Sequence, residues 1–179
     1  MRELFIICGI PGSGKSTFLR NYVKESSSVV ISRDAIRFSL LKEDSDYFEY
    51  EPIVEQMFYN GITKALQLGY DVFADQSSIS PAARKKLLSR VCSYKKVNAI
   101  YVKTPLEICI KRNNFRVGRA RVPKDVIVDM YNHFSEPTFK EIFDSIWVYD
   151  SITDTLEITT YDSIADTLKI TTKGDEKYE

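Results

Sequence analysis

Gly9-Ile10-Pro11-Gly12-Ser13-Gly14-Lys15-Ser16 decides the fold. A glycine, four free positions, then glycine, lysine and serine is the phosphate-loop pattern. The apolar run Leu4-Phe5-Ile6-Ile7-Cys8 ahead of it reads as a buried strand. Thr17-Phe18-Leu19-Arg20-Asn21-Tyr22-Val23 behind it has the helical spacing of apolar residues. Strand, glycine loop and helix together are the context in which the motif binds phosphate. The glycines let the backbone curl until successive amide hydrogens converge, and the helix start adds its partial positive charge. Gly12, Ser13, Gly14, Lys15, Ser16 and Thr17 are therefore the candidate contacts to ATP or another nucleoside triphosphate. Lys15 is in reach of the β- and γ-phosphates and the Ser16 hydroxyl is a ligand for Mg2+.

Working outward, strands alternate with helices. Ser28-Val29-Val30-Ile31-Ser32 reads as a second strand, with a short helix opening at Arg33-Asp34. A polar, acidic, tyrosine-bearing loop from Lys42 to Glu51 leads into a long helix that starts at Pro52, runs to about Leu68 and ends before Gly69. Tyr70 to Ala74 forms the third strand and delivers Asp75 at its carboxyl end. Ser80-Pro81 and Thr104-Pro105 each look like a cap followed by a first-position proline, flanking a fourth strand over Lys96–Val102. A further helix follows Val122-Pro123, and Ser145–Tyr149 is the fifth strand. This alternation predicts an α/β P-loop kinase fold, a central five-stranded parallel sheet with helices on both faces. Ligands of such sheets sit at the carboxyl ends of strands, where the loop, Asp34 and Asp75 all fall.

Residues 1–150 are expected to be the kinase domain and 151–179 an appendage. In it, Tyr149–Thr160 is nearly repeated by Tyr161–Thr172, with changes only at Thr153/Ala165 and Glu157/Lys169. Each copy carries an alternating Leu-x-Ile-Thr stretch suited to a strand, which predicts a short antiparallel extension at the sheet edge or a homo-oligomer contact. A duplication without function is the competing reading. Lys173 to Glu179 are expected to be disordered.

The 179 residues carry 25 basic and 25 acidic side chains, so no generally basic nucleic-acid coat is present. No apolar stretch is long enough to cross a membrane, and the chain enters a strand at once, leaving no room for a signal peptide. Cys8, Cys92 and Cys109 show no metal-ligand spacing and are read as buried free thiols of a cytoplasmic protein. One dense cationic stretch stands out: Arg112, Arg116, Arg119, Arg121 and Lys124, with Asn113, Asn114 and Gly118 supplying flexibility. It reads as a mobile lid able to attract a phosphate backbone, or as a solvated basic loop.

Phosphoryl transfer needs a positioned acceptor, a group to take its proton and cations to neutralise the moving charge. Asp34, on a strand end beside the loop, is the candidate general base; a helix-start carboxylate is the alternative. Arg37 shares its helix face one turn on, where a guanidinium could grip an acceptor phosphate. Tyr47, Phe48 and Tyr50 could stack on a base or cover the core. His133 is read as surface or packing and Trp147 as core.

Gly-x-Pro-Gly-Ser-Gly-Lys-Ser-Thr, then Ser32-Arg33-Asp34-x-x-Arg37, Ala74-Asp75 before Pro81-x-x-Arg84, and Lys111-Arg112-Asn113-x-x-Arg116 ahead of Val122-Pro123, resemble the 5′-kinase domain of phage-type polynucleotide kinase. The resemblance spans residues 1 to 150. It implies transfer of the γ-phosphate of ATP to the 5′-hydroxyl of DNA or RNA, so the expected partner is a nucleic-acid 5′ end. It further implies Asp34 as base, Arg37 on the phosphate following the acceptor nucleoside, and Asp75 shaping the acceptor pocket. Arg116 would be an arginine finger supplied in cis, with Arg112 on the donor side and Val122 offering an apolar face to the terminal base. Gln76 stands in the acceptor pocket where the family often has threonine, and the lid before Val122 is slightly longer. The Asp-x-Asp-x-Thr signature of the companion 3′-phosphatase is absent. Two other readings fit the same residues: a small-molecule kinase acting on a nucleoside, nucleotide or antibiotic, and a nucleotide-binding module that transfers nothing and needs no base at Asp34.

Overall fold

The computed structural model describes residues 2–23, 26–162 and 167–173. One seven-stranded sheet runs in the order β2-β3-β1-β4-β5-β6-β7. Its first five members are β1 (Glu3–Cys8), β2 (Ser28–Ser32), β3 (Asp71–Asp75), β4 (Lys96–Lys103) and β5 (Ser145–Asp150). All pair in parallel, as the alternating pattern predicts. The helices are α1 (Lys15–Tyr22), α2 (Arg33–Leu40), α3 (Glu51–Gln67), α4 (Pro81–Arg90), α5 (Leu106–Asn114) and α6 (Lys124–Asn132).

The period of β1 explains the two-sided core. Leu4, Ile6 and Cys8 face one layer, with Phe58, Ile62 and Leu66 of α3 and Leu87 of α4. Phe5 and Ile7 face the other, with Phe18 and Leu19 of α1. A central parallel strand is covered on both faces, so its residues read as one apolar run rather than an alternation. Phe5 stacks on Phe73 at 4.4 Å and meets the half-buried Trp147 edge-on. His133 is exposed beside Asp129.

The tail continues the sheet. β6 (Thr155–Asp162) pairs antiparallel with β5, and β7 (Thr167–Lys173) pairs antiparallel with β6. The antiparallel extension expected from the repeat is therefore present. The first copy ends β5, turns at Ser151–Asp154 and forms β6; the second ends β6 and forms β7. Leu156 of the first copy is 1% exposed and completes the α1-side core, a burial that contributes about 1.5–3 kcal/mol. Lys173, expected to be disordered, closes β7; residues 174–179 lie outside the described residues.

One cysteine departs from expectation. Cys8 and Cys109 are buried but Cys92 is exposed, because α4 ends at Arg90 rather than carrying Cys92 onto the sheet. Burial pushes the Cys8 and Cys109 thiols up to about 12 and about 11, so neither is a thiolate at neutral pH.

Candidate active site

A cavity of about 540 Å³ opens at the carboxyl ends of the parallel strands. Gly12, Gly14, Lys15, Ser16, Thr17, Asp34, Asp75, Arg112, Arg116 and Val122 line it, so segments scattered over a hundred residues share one wall. Ser13, Arg37 and Gln76 do not.

The loop is held against α5. Gly12 has φ +83°, and a Cβ there would stand 2.2 Å from the Cys109 carbonyl oxygen, so only glycine permits this approach. Gly14, also left-handed, begins α1 and leaves the exposed Ser16 and Thr17 on its first turn. Lys15 donates from Nζ to the Gly9 and Ile10 carbonyls, each at 3.0 Å. Burial lowers its pKa; the neighbouring Asp75 works in the opposite direction and Arg116 adds to the lowering. Asp75 is shifted the other way, its pKa raised chiefly by burial and partly restored by Lys15. The two residues, both half-buried on the cavity wall, act on each other electrostatically.

Ser13 faces inward. Its Oγ is buried without a hydrogen-bond partner among the described residues, while its carbonyl accepts from Thr104 Oγ1 at 2.7 Å and Arg112 Nη1 at 3.2 Å. Arg112 also donates to Ser151 Oγ at 2.9 Å and the Ser151 carbonyl at 3.2 Å. It thereby ties α5 and the phosphate loop to the turn after β5. Nothing in the spacing of Thr104 and Ser151 announces this role, because the contacts join residues far apart in sequence.

Asp34 is placed by its cap. Ser32 accepts from the Ala35 amide at 3.4 Å, setting Asp34 in the first turn of α2 with its carboxylate 66% exposed. Asp34 Oδ1 accepts from Arg37 Nη1 and from the Tyr47 hydroxyl at 3.3 Å. Oδ2 carries neither bond. Arg37 is where expectation and geometry part. It is 5% exposed, donates from Nε and Nη2 to Glu51 Oε2 at 3.2 and 2.7 Å, and lies over the Tyr47 ring. In this structure the guanidinium is engaged by Glu51 and Asp34 and is not on the cavity wall. Gln76 is likewise turned away: it accepts from Arg33 Nη1 at 3.1 Å and donates to Ser78 at 3.3 Å, leaving Ser77 on the wall. Arg33 also pairs with Glu51, so one carboxylate at the start of α3 holds two arginines. The sequence marks Glu51 only as the end of an acidic loop.

The basic stretch arches over the cavity between α5 and α6. Asn113, expected to loosen it, does the reverse: 2% exposed, it brackets Val122 with bonds of 2.7 Å to the carbonyl and 3.0 Å from the amide. Arg116 faces the cavity, and among the described residues its one hydrogen bond is the 3.5 Å contact to the Ala120 carbonyl. Arg119 reaches across to the Glu43 carbonyl and to the Ser45 carbonyl at 3.1 Å, joining the lid to the loop that carries Tyr47. Arg84, fully buried, binds Glu141 with two 2.8 Å bonds and fixes α4 to the segment after α6.

The family model described as an AAA domain, AAA_33, matches residues 4–137. The chain belongs to this AAA_33 family. Its architecture is accordingly that of the P-loop kinase fold, with the phosphate loop on the cavity wall. Among relatives, it is 31% identical over 163 residues to the L-seryl-tRNA(Sec) kinase of Methanococcus maripaludis, covering 86% of this chain and 60% of the other. It is 28% identical over 152 residues to a "putative bifunctional polynucleotide phosphatase/kinase" of Acanthamoeba polyphaga mimivirus, covering 81% of this chain and 32% of the other. The AAA_33 chain thus spans less than two thirds of either relative. A sugar kinase structure from Janibacter sp. superposes with a TM-score of 0.59 at 16% identity, covering 84% and 85% of the two chains. That likeness shows a shared fold and does not choose the acceptor. Among the described residues no helix is long and apolar enough to cross a membrane.

Proposed function

We propose that this AAA_33 kinase transfers the γ-phosphate of ATP to an alcohol carried at the end of a nucleic acid, in the first place the 5′-hydroxyl of DNA or RNA. The observation that carries this reading is the shared wall: phosphate loop, Asp34 and a lid bearing Arg116 and Arg119 enclose one cavity. Asp34 Oδ2 takes the proton of the acceptor hydroxyl, the new oxygen–phosphorus bond forms, and the bond from the γ-phosphorus to the bridging oxygen breaks to release ADP. Arg116, which pairs with no carboxylate among the described residues, meets the charge on the phosphoryl group in flight. Lys15 holds the donor phosphates. Ser16, with the Asp75 carboxylate on the same wall, offers hard oxygen ligands of the kind that suit Mg2+ alongside phosphates and water. With Arg37 engaged by Glu51, contact to the acceptor's own phosphates falls to Arg119 and the exposed Arg121.

A second acceptor, the seryl group of a seryl-tRNA, is favoured by the 31% identity across 86% of the chain. Both acceptors are primary alcohols carried at the end of a nucleic acid, and the same base and cations serve either. The test is transfer of labelled γ-phosphate to four acceptors: 5′-hydroxyl DNA, 5′-hydroxyl RNA, seryl-tRNA and free nucleosides. Labelling of the oligonucleotides supports the first reading, and labelling of seryl-tRNA alone supports the second. Labelling of nucleosides alone makes this a small-molecule kinase, and ATP binding with no labelled product makes it a binding module.

A further inference from the structure

The duplicated tail poses a question that phosphoryl transfer does not answer: what the second copy does once the first has completed the core. Leu156 of β6 is 1% exposed, whereas Leu168 and Ile170 at the matching positions of β7 are 55% and 64% exposed. The reason is parity. β6 pairs Tyr161 with Leu168 and Thr159 with Ile170, so the apolar residues of β7 fall on the opposite sheet face from Leu156 and Ile158. On that face Ile146 pairs with Thr159, and Thr159 with Ile170. The core ends near Phe139 and Tyr161, whose rings stand 6.0 Å apart. Leu168 and Ile170 extend the apolar face beyond it, on a strand that ends the sheet order among the described residues.

β6 and β7 also carry nearly the same stretch, differing at Glu157/Lys169. Thr155-Leu-Glu-Ile-Thr-Thr and Thr167-Leu-Lys-Ile-Thr-Thr pair antiparallel within one molecule. The two near-copies thus pair antiparallel within the chain, in a register one residue from that of an exact two-fold, and β7 has a second edge open to a further strand among the described residues.

We propose that a second copy of this chain adds its β7 to the β7 edge, antiparallel about a two-fold axis at Ile170, joining two seven-stranded sheets into one. Charge selects the centre. β7 has Lys169 and Lys173. A two-fold at 169 sets Lys169 against itself, and one at 171 sets Lys169 against Lys173 of the other copy; like charges directly opposite destabilise a pair. A two-fold at Ile170, the midpoint of Thr167–Lys173, sets each lysine against a threonine and keeps every residue of the strand paired. It also clusters Leu168 and Ile170 of both copies on one face. The contact is isologous, so the assembly closes at two copies rather than growing into a fibre. Strand addition of this extent buries a modest area, so the dimer is weak and concentration-dependent.

Two measurements on the full chain test this. Sedimentation equilibrium across a concentration series should show a shift from the 20.6 kDa monomer to twice that mass. Ile170→Lys, at an exposed site where the fold does not depend on it, should be monomeric throughout. Mixing Ile170→Lys with Ile170→Glu should restore the doubled mass as a heterodimer. A chain that stays at 20.6 kDa at every concentration, or an Ile170→Lys variant that still dimerises, overturns the proposal. The register is tested separately in a Cys92→Ser background, which removes the exposed thiol. With diamide as oxidant, Ile170→Cys should cross-link two copies through a disulfide and Lys169→Cys should not. Equal cross-linking at both positions overturns the Ile170 axis.

Discussion

Replacing Glu51 with glutamine separates two things that one carboxylate does. Glu51 accepts two bonds from Arg37 and one from Arg33, and Arg37 in turn braces Asp34. Removing one partner of a fully buried pair costs about 3–5 kcal/mol. Here the Arg37 side chain is 7% exposed but Glu51 is 27% exposed, and glutamine still offers one oxygen, so the expected loss is about 1.5–3 kcal/mol. For a chain of this size that corresponds to a Tm lower by roughly 3–12 °C. The informative comparison is Glu141→Gln, which strips the carboxylate from the fully buried Arg84. Glu141 is 17% exposed, so its loss lies nearer the full buried-pair value. Glu141→Gln should therefore lower Tm at least as much, yet leave turnover per folded molecule unchanged. Glu51→Gln should lower turnover about tenfold as well, the worth of one hydrogen bond of about 1.4 kcal/mol on the base. Tm is read by circular dichroism, and turnover by labelled phosphate transfer below the unfolding range of both variants. If Glu51→Gln lowers Tm but its folded fraction turns over like wild type, the reasoning that Arg37 and Glu51 position Asp34 is wrong.

Asp34→Asn should keep the ATP-induced rise in Tm and lose about 10²–10⁴-fold in turnover, since only the proton acceptor is removed; full turnover would take Asp34 out of the base role. Arg116→Ala should lower kcat by about 10³-fold or more while ATP still raises Tm, as expected for a cation acting on the transferring group. A change confined to KM would make Arg116 a binding residue. Asp75 has its pKa raised by burial, so the native state keeps its proton to higher pH than the unfolded chain. The stability this confers is present in acid and lost as pH rises through the folded-state value. The Tm of Asp75→Asn relative to wild type should therefore climb from acid to neutral pH, and a constant offset across that range would contradict the burial argument.

Much of this site is legible in the sequence. The phosphate loop needs only local chemistry: glycines at the left-handed turns, a strand before and a helix after. The parallel sheet followed from alternating periodicity, and the strand ends then brought Asp34 and Asp75 to the loop. Asp34 was readable because its cap, Ser32, and its helix are its immediate neighbours. The Leu-x-Ile-Thr repeat announced antiparallel strands for the same local reason.

The occupation of side chains was not legible. Whether Arg37 is an open clamp or a braced strut depends on Glu51, and whether Asn113 loosens or locks the lid depends on Val122. In both cases the deciding partner comes from another element, with no spacing rule connecting the two. Cys92 shows the same limit, since it lies beyond the end of α4 and its thiol is exposed. The phosphate loop therefore belongs to the sequence by itself: its chemistry lies in consecutive backbone amides. The acceptor half belongs to the tertiary structure, because a charged side chain acts only with the charge that remains once its nearest counter-charge has been placed.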